Sequence, residues 1–119
     1  MAGIRALLVP AVSVADRLKR GRALRSPAQQ AEVERAARAL VLYTHAGCAF
    51  CFRARRALKR LQVPVEVRDV ARVERYRREL IQGGGRCQVP CLKIQDRSGA
   101  ERWLYESADI VDYLEQRFR

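Results

Sequence analysis

Apolar positions change their spacing along the chain, and each change predicts a new element. Residues 4–20 place Ile4, Leu7, Leu8, Ala11, Val14, Ala15 and Leu18 at helical spacing. Pro10 interrupts any helix there, because its ring removes a backbone donor. The pattern breaks at Gly21 and again at Ser26-Pro27, where serine can cap and proline can open a second helix, predicted from Pro27 to about Ala39. In that helix Glu32 and Glu34 precede Arg35 and Arg38, the order that the helix dipole favours. At Leu40 the helical spacing stops. Leu40-Val41-Leu42-Tyr43 is a continuous apolar, partly β-branched run, as expected of a strand buried on both faces. Thr44-His45-Ala46-Gly47 forms a loop, after which Cys48-Ala49-Phe50-Cys51 opens a helix predicted to reach Leu61. Cys51, Ala54, Leu58 and Leu61 share one face of that helix, while Arg53, Arg56, Lys59 and Arg60 fall mostly elsewhere. This spacing turns Cys51 toward the core and leaves Cys48 at the exposed start.

Pro64 separates this helix from a second predicted strand, in which Val63, Val65 and Val67 alternate with other residues. A charged helix follows around Val73 to Ile81, with Gly83-Gly84-Gly85 predicted to end it. Beyond Val89-Pro90, Leu92 and Ile94 alternate with Lys93 and Gln95 as a third strand, which Cys91 begins. Asp96-Arg97-Ser98-Gly99 reads as a hairpin turn into a fourth strand near Arg102 to Tyr105. Ser107 is the predicted cap of a last helix, with Asp109 in its first turn and Ile110, Val111, Leu114 and Phe118 on its buried side. From Leu40 onward the order is β-α-β-α-β-β-α. A parallel βαβ unit followed by an antiparallel hairpin and a helix makes an α/β layer on one four-stranded mixed sheet.

Composition narrows this picture. The chain has 119 residues, of which 49% are hydrophobic, enough for one domain with its own core. No apolar stretch approaches the roughly 20 residues of a membrane-spanning helix. Ala6 to Ala15, with Arg5 before it and Ser13-Val14-Ala15 at its end as a cleavage-like run, faintly resembles a secretory signal, but the basic residues Arg17, Lys19, Arg20, Arg22 and Arg25 follow at once and resist export. The net charge is +11, and both residues 1–38 and the remainder are basic, so anionic partners are favoured. Nucleic acid is not expected, since the basic residues lack interleaved aromatics for base stacking.

Four cysteines are too few and too unevenly spaced for a secreted disulfide scaffold. The pair Cys48 and Cys51, between a buried strand and an amphipathic helix, points to redox chemistry. Thiolate, not thiol, attacks a disulfide, and unpaired amides at a helix N-terminus stabilise a thiolate. Cys48 has that position, and Cys51 lies one turn on, where it can resolve a mixed disulfide. His45 could pair with the thiolate or with a carboxylate, or could simply be solvated. Arg86 is a further candidate for a carboxylate contact. Cys87 and Cys91 invite a four-thiolate zinc reading, but Val89-Pro90 lies between them in an extended segment and the spacing is outside the usual range. Cys91 is read as a small core residue and Cys87 as a surface thiol.

These residues carry a resemblance. Residues 40–118 resemble a glutaredoxin, and also the N-terminal domain of glutathione transferases. The matching elements are Cys48-Ala49-Phe50-Cys51 after the first strand, Gln88-Val89-Pro90, and Tyr105-Glu106-Ser107-Ala108-Asp109-Ile110. The resemblance implies a thioredoxin-like fold over residues 39–119, preceded by a basic, amphipathic helical extension over residues 1–38. It also implies a cis Val89-Pro90 bond that presents the Val89 backbone to glutathione, with Glu106 and Ser107 on the γ-glutamyl end and His45, Phe50, Gln88 and Pro90 around the rest. Ala49 stands where glutaredoxins usually carry proline, His45 where lysine is common, and Gln88 where threonine is usual.

The expected function is a cytoplasmic, glutathione-dependent thiol–disulfide oxidoreductase that acts on disulfide-containing or glutathionylated proteins. Cys48 would attack, Cys51 resolve, and glutathione serve as co-substrate, with no metal expected. Two alternatives stay open. One is a glutaredoxin in which Cys48 and glutathione from each of two subunits bridge a [2Fe–2S] cluster. The other is a non-catalytic, membrane-associated module like the transferase N-terminal domain, which retention of both cysteines disfavours. These residues hold no counterpart of the helical second domain of transferases, so a full transferase is not expected. Residues 1–38 are expected to pack on the domain or to lie on an anionic membrane surface, the membrane contact being made through residues 1–25.

Overall fold

The computed structural model describes residues 24–119, so the helix expected over residues 4–20 lies outside the described residues. Ser26 builds the start of α1 (Pro27–Ala37): its hydroxyl accepts from the Gln29 amide at 3.1 Å, and the Gln29 side chain accepts from the Ser26 amide at 2.9 Å. Pro27 loses nothing in the first turn, where its missing amide would have no partner. α1 stops short of the predicted Ala39, because the Ala39 carbonyl already accepts from Gln95 at the margin of the sheet. Arg25 ties this segment down, donating to the Leu61 carbonyl at 2.6 Å and also to the Phe118 carbonyl.

The remaining elements are β1 (Leu40–Thr44), α2 (Ala49–Leu61), β2 (Glu66–Asp69), α3 (Glu74–Gly84), β3 (Cys91–Gln95), β4 (Glu101–Tyr105) and α4 (Ser107–Phe118). Their sheet order is β2-β1-β3-β4, with β1 and β2 parallel and the other pairs antiparallel. This is the expected thioredoxin-like α/β fold with one four-stranded mixed sheet. Pairing of Leu42 with Leu92 and of Tyr43 with Cys91 fixes the central register.

All five residues of β1 are buried, as its uninterrupted apolar run requires. Their side chains alternate between two different layers. On one side Leu40, Leu42, Leu92 and Ile94 pack with Ala54, Ala57 and Leu58 of α2, Ile110 and Leu114 of α4, and Ala37 of α1. On the other, Val41, Tyr43 and Cys91 pack with Val70, with Leu80 of α3, and with Trp103 and Tyr105 of β4. This second layer holds a polar network: the buried Tyr43 hydroxyl lies 3.0 Å from the Glu79 carboxylate and 3.1 Å from the Arg68 guanidinium. Burial, reinforced by Glu79, pushes the Tyr43 phenol up to about 12.

Three further expected boundaries need correction. The valine alternation predicts the second strand on Val63, Val65 and Val67, but β2 begins at Glu66 and leaves Val67 exposed. Val63 is buried by the end of α2 instead, its amide bonding the Leu58 carbonyl at 3.0 Å, and Pro64 has no amide to give a ladder. The glycines do not all end α3. Gly83 and Gly84 lie inside it, where a methyl group would overlap Trp103 and Tyr105 respectively, and the helix stops at Gly85 in a left-handed conformation. Ser107 does not cap α4. It is the buried first residue, and Glu106 takes the cap position at φ 75.

Candidate functional site

The loop after β1 turns through Gly47, at φ 88, and delivers Cys48 as the N-cap of α2. The Cys51 amide donates to the Cys48 sulfur at 3.2 Å. A helix start leaves such amides without intrahelical partners, and here the sulfur takes the place of a capping hydroxyl. Cys48 is half-buried while Cys51 is fully buried. Burial, with the Cys48 contact adding to it, pushes the Cys51 thiol up to about 12. At neutral pH Cys51 is therefore a neutral thiol beside a sulfur that an amide dipole already faces.

Across from Cys48 lies the segment before β3. The Val89-Pro90 bond is cis, and the Val89 carbonyl stands 3.9 Å from the Cys48 sulfur. Pro90 is buried, while Val89 is half-buried and lies in no helix or strand. Gln88 next to it is exposed and donates to the Glu106 carboxylate at 3.3 Å. Glu106 and Ser107 stand at the N-terminus of α4, so Gln88 links the two halves of the predicted set.

The other predicted residues sit differently. His45 is exposed and turned back on its own loop, with Nδ1 2.5 Å from the Ala46 carbonyl. Phe50 is 57% exposed and carries the Arg53 guanidinium 5.5 Å above its ring. Arg86 stacks 4.2 Å above the Tyr105 ring, and the Tyr105 hydroxyl donates to the Arg86 carbonyl at 2.9 Å. Tyr105 therefore anchors the loop that leads to Gln88, a role the sequence pattern hid because Tyr105 reads simply as a strand residue.

Cys87 is exposed and Cys91 is buried, in agreement with their readings as a surface thiol and a core residue. Burial also pushes the Cys91 thiol up to about 12. Among the described residues, no three His, Cys, Asp or Glu side chains gather as a metal-ligand set. None of the described helices is long and apolar enough to cross a membrane.

Residues 42–119 match the family described as the glutathione S-transferase N-terminal domain, and the chain belongs to that thioredoxin-fold family. Among solved structures, it is similar to the trimeric glutathione transferase TDR1 of Leishmania, with 31% identity and a TM-score of 0.54. That match covers 66% of this chain and 17% of TDR1. It is also similar to maleylacetoacetate isomerase of Anaeromyxobacter dehalogenans, solved with dicarboxyethyl glutathione and citrate in its active site: 27% identity, TM-score 0.50, 66% of this chain and 36% of that one. The chain thus spans a minor part of the length of both. Oxidized glutaredoxin 2 of Chlamydomonas reinhardtii shares the fold at 20% identity and a TM-score of 0.50, over 73% of this chain and 78% of its own. No curated protein matches the chain significantly.

Proposed function

We propose that the chain is a glutathione-dependent thiol–disulfide oxidoreductase that reduces mixed disulfides through Cys48. The observation that carries this reading is the Cys51 amide directed at the Cys48 sulfur at the start of α2, with the Val89 carbonyl on the far side. That amide holds the attacking sulfur at the helix N-terminus, with its hydrogen directed at the atom that must react.

In the first step the Cys48 thiolate attacks the glutathione sulfur of a glutathionylated protein. The substrate thiolate leaves and takes a proton from solvent, and Cys48 holds glutathione as a mixed disulfide. In the second step the thiolate of another glutathione attacks that glutathione sulfur, releasing oxidised glutathione and regenerating Cys48. Two glutathione sulfurs, one from the substrate and one from the co-substrate, end as one disulfide, and the protein thiol gains the electrons. Cys51 offers a competing exit. It attacks the Cys48 sulfur, closes an intramolecular disulfide and expels glutathione as its thiolate. Its raised pKa makes that exit slow at neutral pH, so the first route does not need it.

The Val89 backbone, outside any ladder, suits the peptide groups of glutathione. The α4 start with Ser107 suits the γ-glutamyl carboxylate, and Glu106 suits its ammonium. Gln88, already bonded to Glu106, holds the Glu106 carboxylate in place; His45 and Phe50 stand at the start of α2. This chemistry belongs where glutathione keeps thiols reduced, in the cytoplasm. The test is glutathione-dependent reduction of a glutathione–2-mercaptoethanol disulfide by wild type, Cys48→Ser and Cys51→Ser. Loss in the first and partial retention in the second are expected; full activity in Cys48→Ser would refute the assignment.

A further inference from the structure

Among the described residues, basic side chains outside α2 divide about evenly between those with a carboxylate partner and those without, whereas the basic side chains of α2 are mostly without one. Arg35, Arg68, Arg75, Arg77, Arg78 and Arg119 each lie within 4.0 Å of a carboxylate. Helix α2 contains no acidic residue. Of its basic side chains only Arg60 has a carboxylate partner among the described residues, Glu115 on α4. Among the described residues Arg53, Arg55, Arg56 and Lys59 have none. Cys48, Phe52, Arg55 and Lys59 recur at the spacing that puts residues on one face of a helix. Phe52 on that face is 53% exposed, with the Arg56 guanidinium 5.8 Å above its ring.

This face does not end on flat surface. Arg55 and Lys59 form one wall of an open groove of about 620 Å³, whose apolar lining includes Leu58, Val65 and Val67. Val67 is 44% exposed and belongs to β2, an outer strand of the sheet. Glu34 on α1 also lines the groove, but lies within 4.0 Å of neither Arg55 nor Lys59.

We propose that the α2 face from Cys48 through Phe52, Arg55 and Lys59, with the groove it enters, docks an acidic segment of a disulfide-bearing protein substrate that also carries apolar side chains. This inference rests on the thiol–disulfide reading above and names the substrate class. Charge complementarity selects the partner: a reactive sulfur, an exposed aromatic ring, two cations without a carboxylate partner among the described residues and an apolar groove follow one another along a single line. Helical rise sets the distances. Arg55 lies about 10 Å and Lys59 about 16 Å along the axis from Cys48. An extended segment advances about 3.3 Å per residue. The preferred substrate therefore carries carboxylates about three and five residues from its oxidised cysteine, with an apolar residue nearby.

The full chain and its R55Q/K59Q variant would be assayed at low salt on four substrates. Three are glutathionylated peptides with acidic, neutral or basic residues at those positions; the fourth is the glutathione–2-mercaptoethanol disulfide. Wild type is expected to prefer the acidic over the neutral peptide by about tenfold in kcat/KM, and the basic peptide to be poorest. The preference should shrink at high salt and disappear in R55Q/K59Q, which should turn over the small disulfide like wild type. Equal kcat/KM for all three peptides, with the small disulfide reduced normally, would overturn the docking proposal alone. So would anionic vesicle binding that R55Q/K59Q abolishes in the absence of any peptide preference. Failure of wild type to reduce the small disulfide would instead overturn the thiol–disulfide reading beneath it.

Discussion

The two cysteine pairs of this chain are built alike and placed differently. In each, one sulfur is fully buried and its thiol is pushed up to about 12, while the other is accessible. Cys51 and Cys91 are in that respect equivalent. Their companions are not. Cys48 caps a helix of 13 residues and receives an amide at 3.2 Å, whereas Cys87 sits in the connection between α3 and β3. Burial and close spacing thus leave a thiol inert, and what distinguishes Cys48 is the helix end beneath it. The same Val89-Pro90 segment adjoins both regions, but its carbonyl faces Cys48.

The comparison is broken most severely by exchanging the accessible members. Cys48→Ser is expected to lower mixed-disulfide reduction about a thousandfold or more, while Cys87→Ser leaves it near wild type; comparable losses in both would erase the distinction. The buried members come next. Cys51→Ser should retain activity within about tenfold, because glutathione can itself resolve the mixed disulfide. Cys91→Ser should leave turnover intact but lower unfolding stability by about 1–3 kcal/mol in denaturant titration, since it buries a hydroxyl among Val41, Tyr43 and Leu80. A smaller effect sharpens the likeness of Cys51 and Cys91. Both thiols hold their protons more tightly folded than unfolded, so their stabilisation is complete below about pH 9 and is lost as pH rises toward 12. Tyr43 titrates in the upper part of that window. Unfolding free energy measured from pH 8 to 11 should fall, and Cys91→Ala should make the fall shallower.

Much of this was legible before any coordinates. The unbroken run Leu40 to Tyr43 announced a buried strand, and the helical spacing of Cys51, Ala54, Leu58 and Leu61 already made the two redox cysteines unequal. Other features rest on tertiary contact, which spacing does not encode. Alternating valines looked like a strand, but Val63 is held by the end of α2 and only Val67 enters β2. Gly83 and Gly84 looked like a helix stop because their actual reason, contact with Trp103 and Tyr105, comes from residues about 20 positions away in sequence. Ser107 looked like a cap because serine commonly is one, yet the left-handed turn at Glu106 moves the helix start by one residue and buries Ser107. His45 carried no sequence signal that it would face its own loop.

The most direct test of the central claim is to trap the first intermediate. Cys51→Ser, treated with oxidised glutathione at neutral pH and digested without reductant, would be mapped by mass spectrometry. One glutathione on Cys48, formed well ahead of any on Cys87, is the predicted result. Glutathione on Cys87 first, or none on Cys48, would contradict the account.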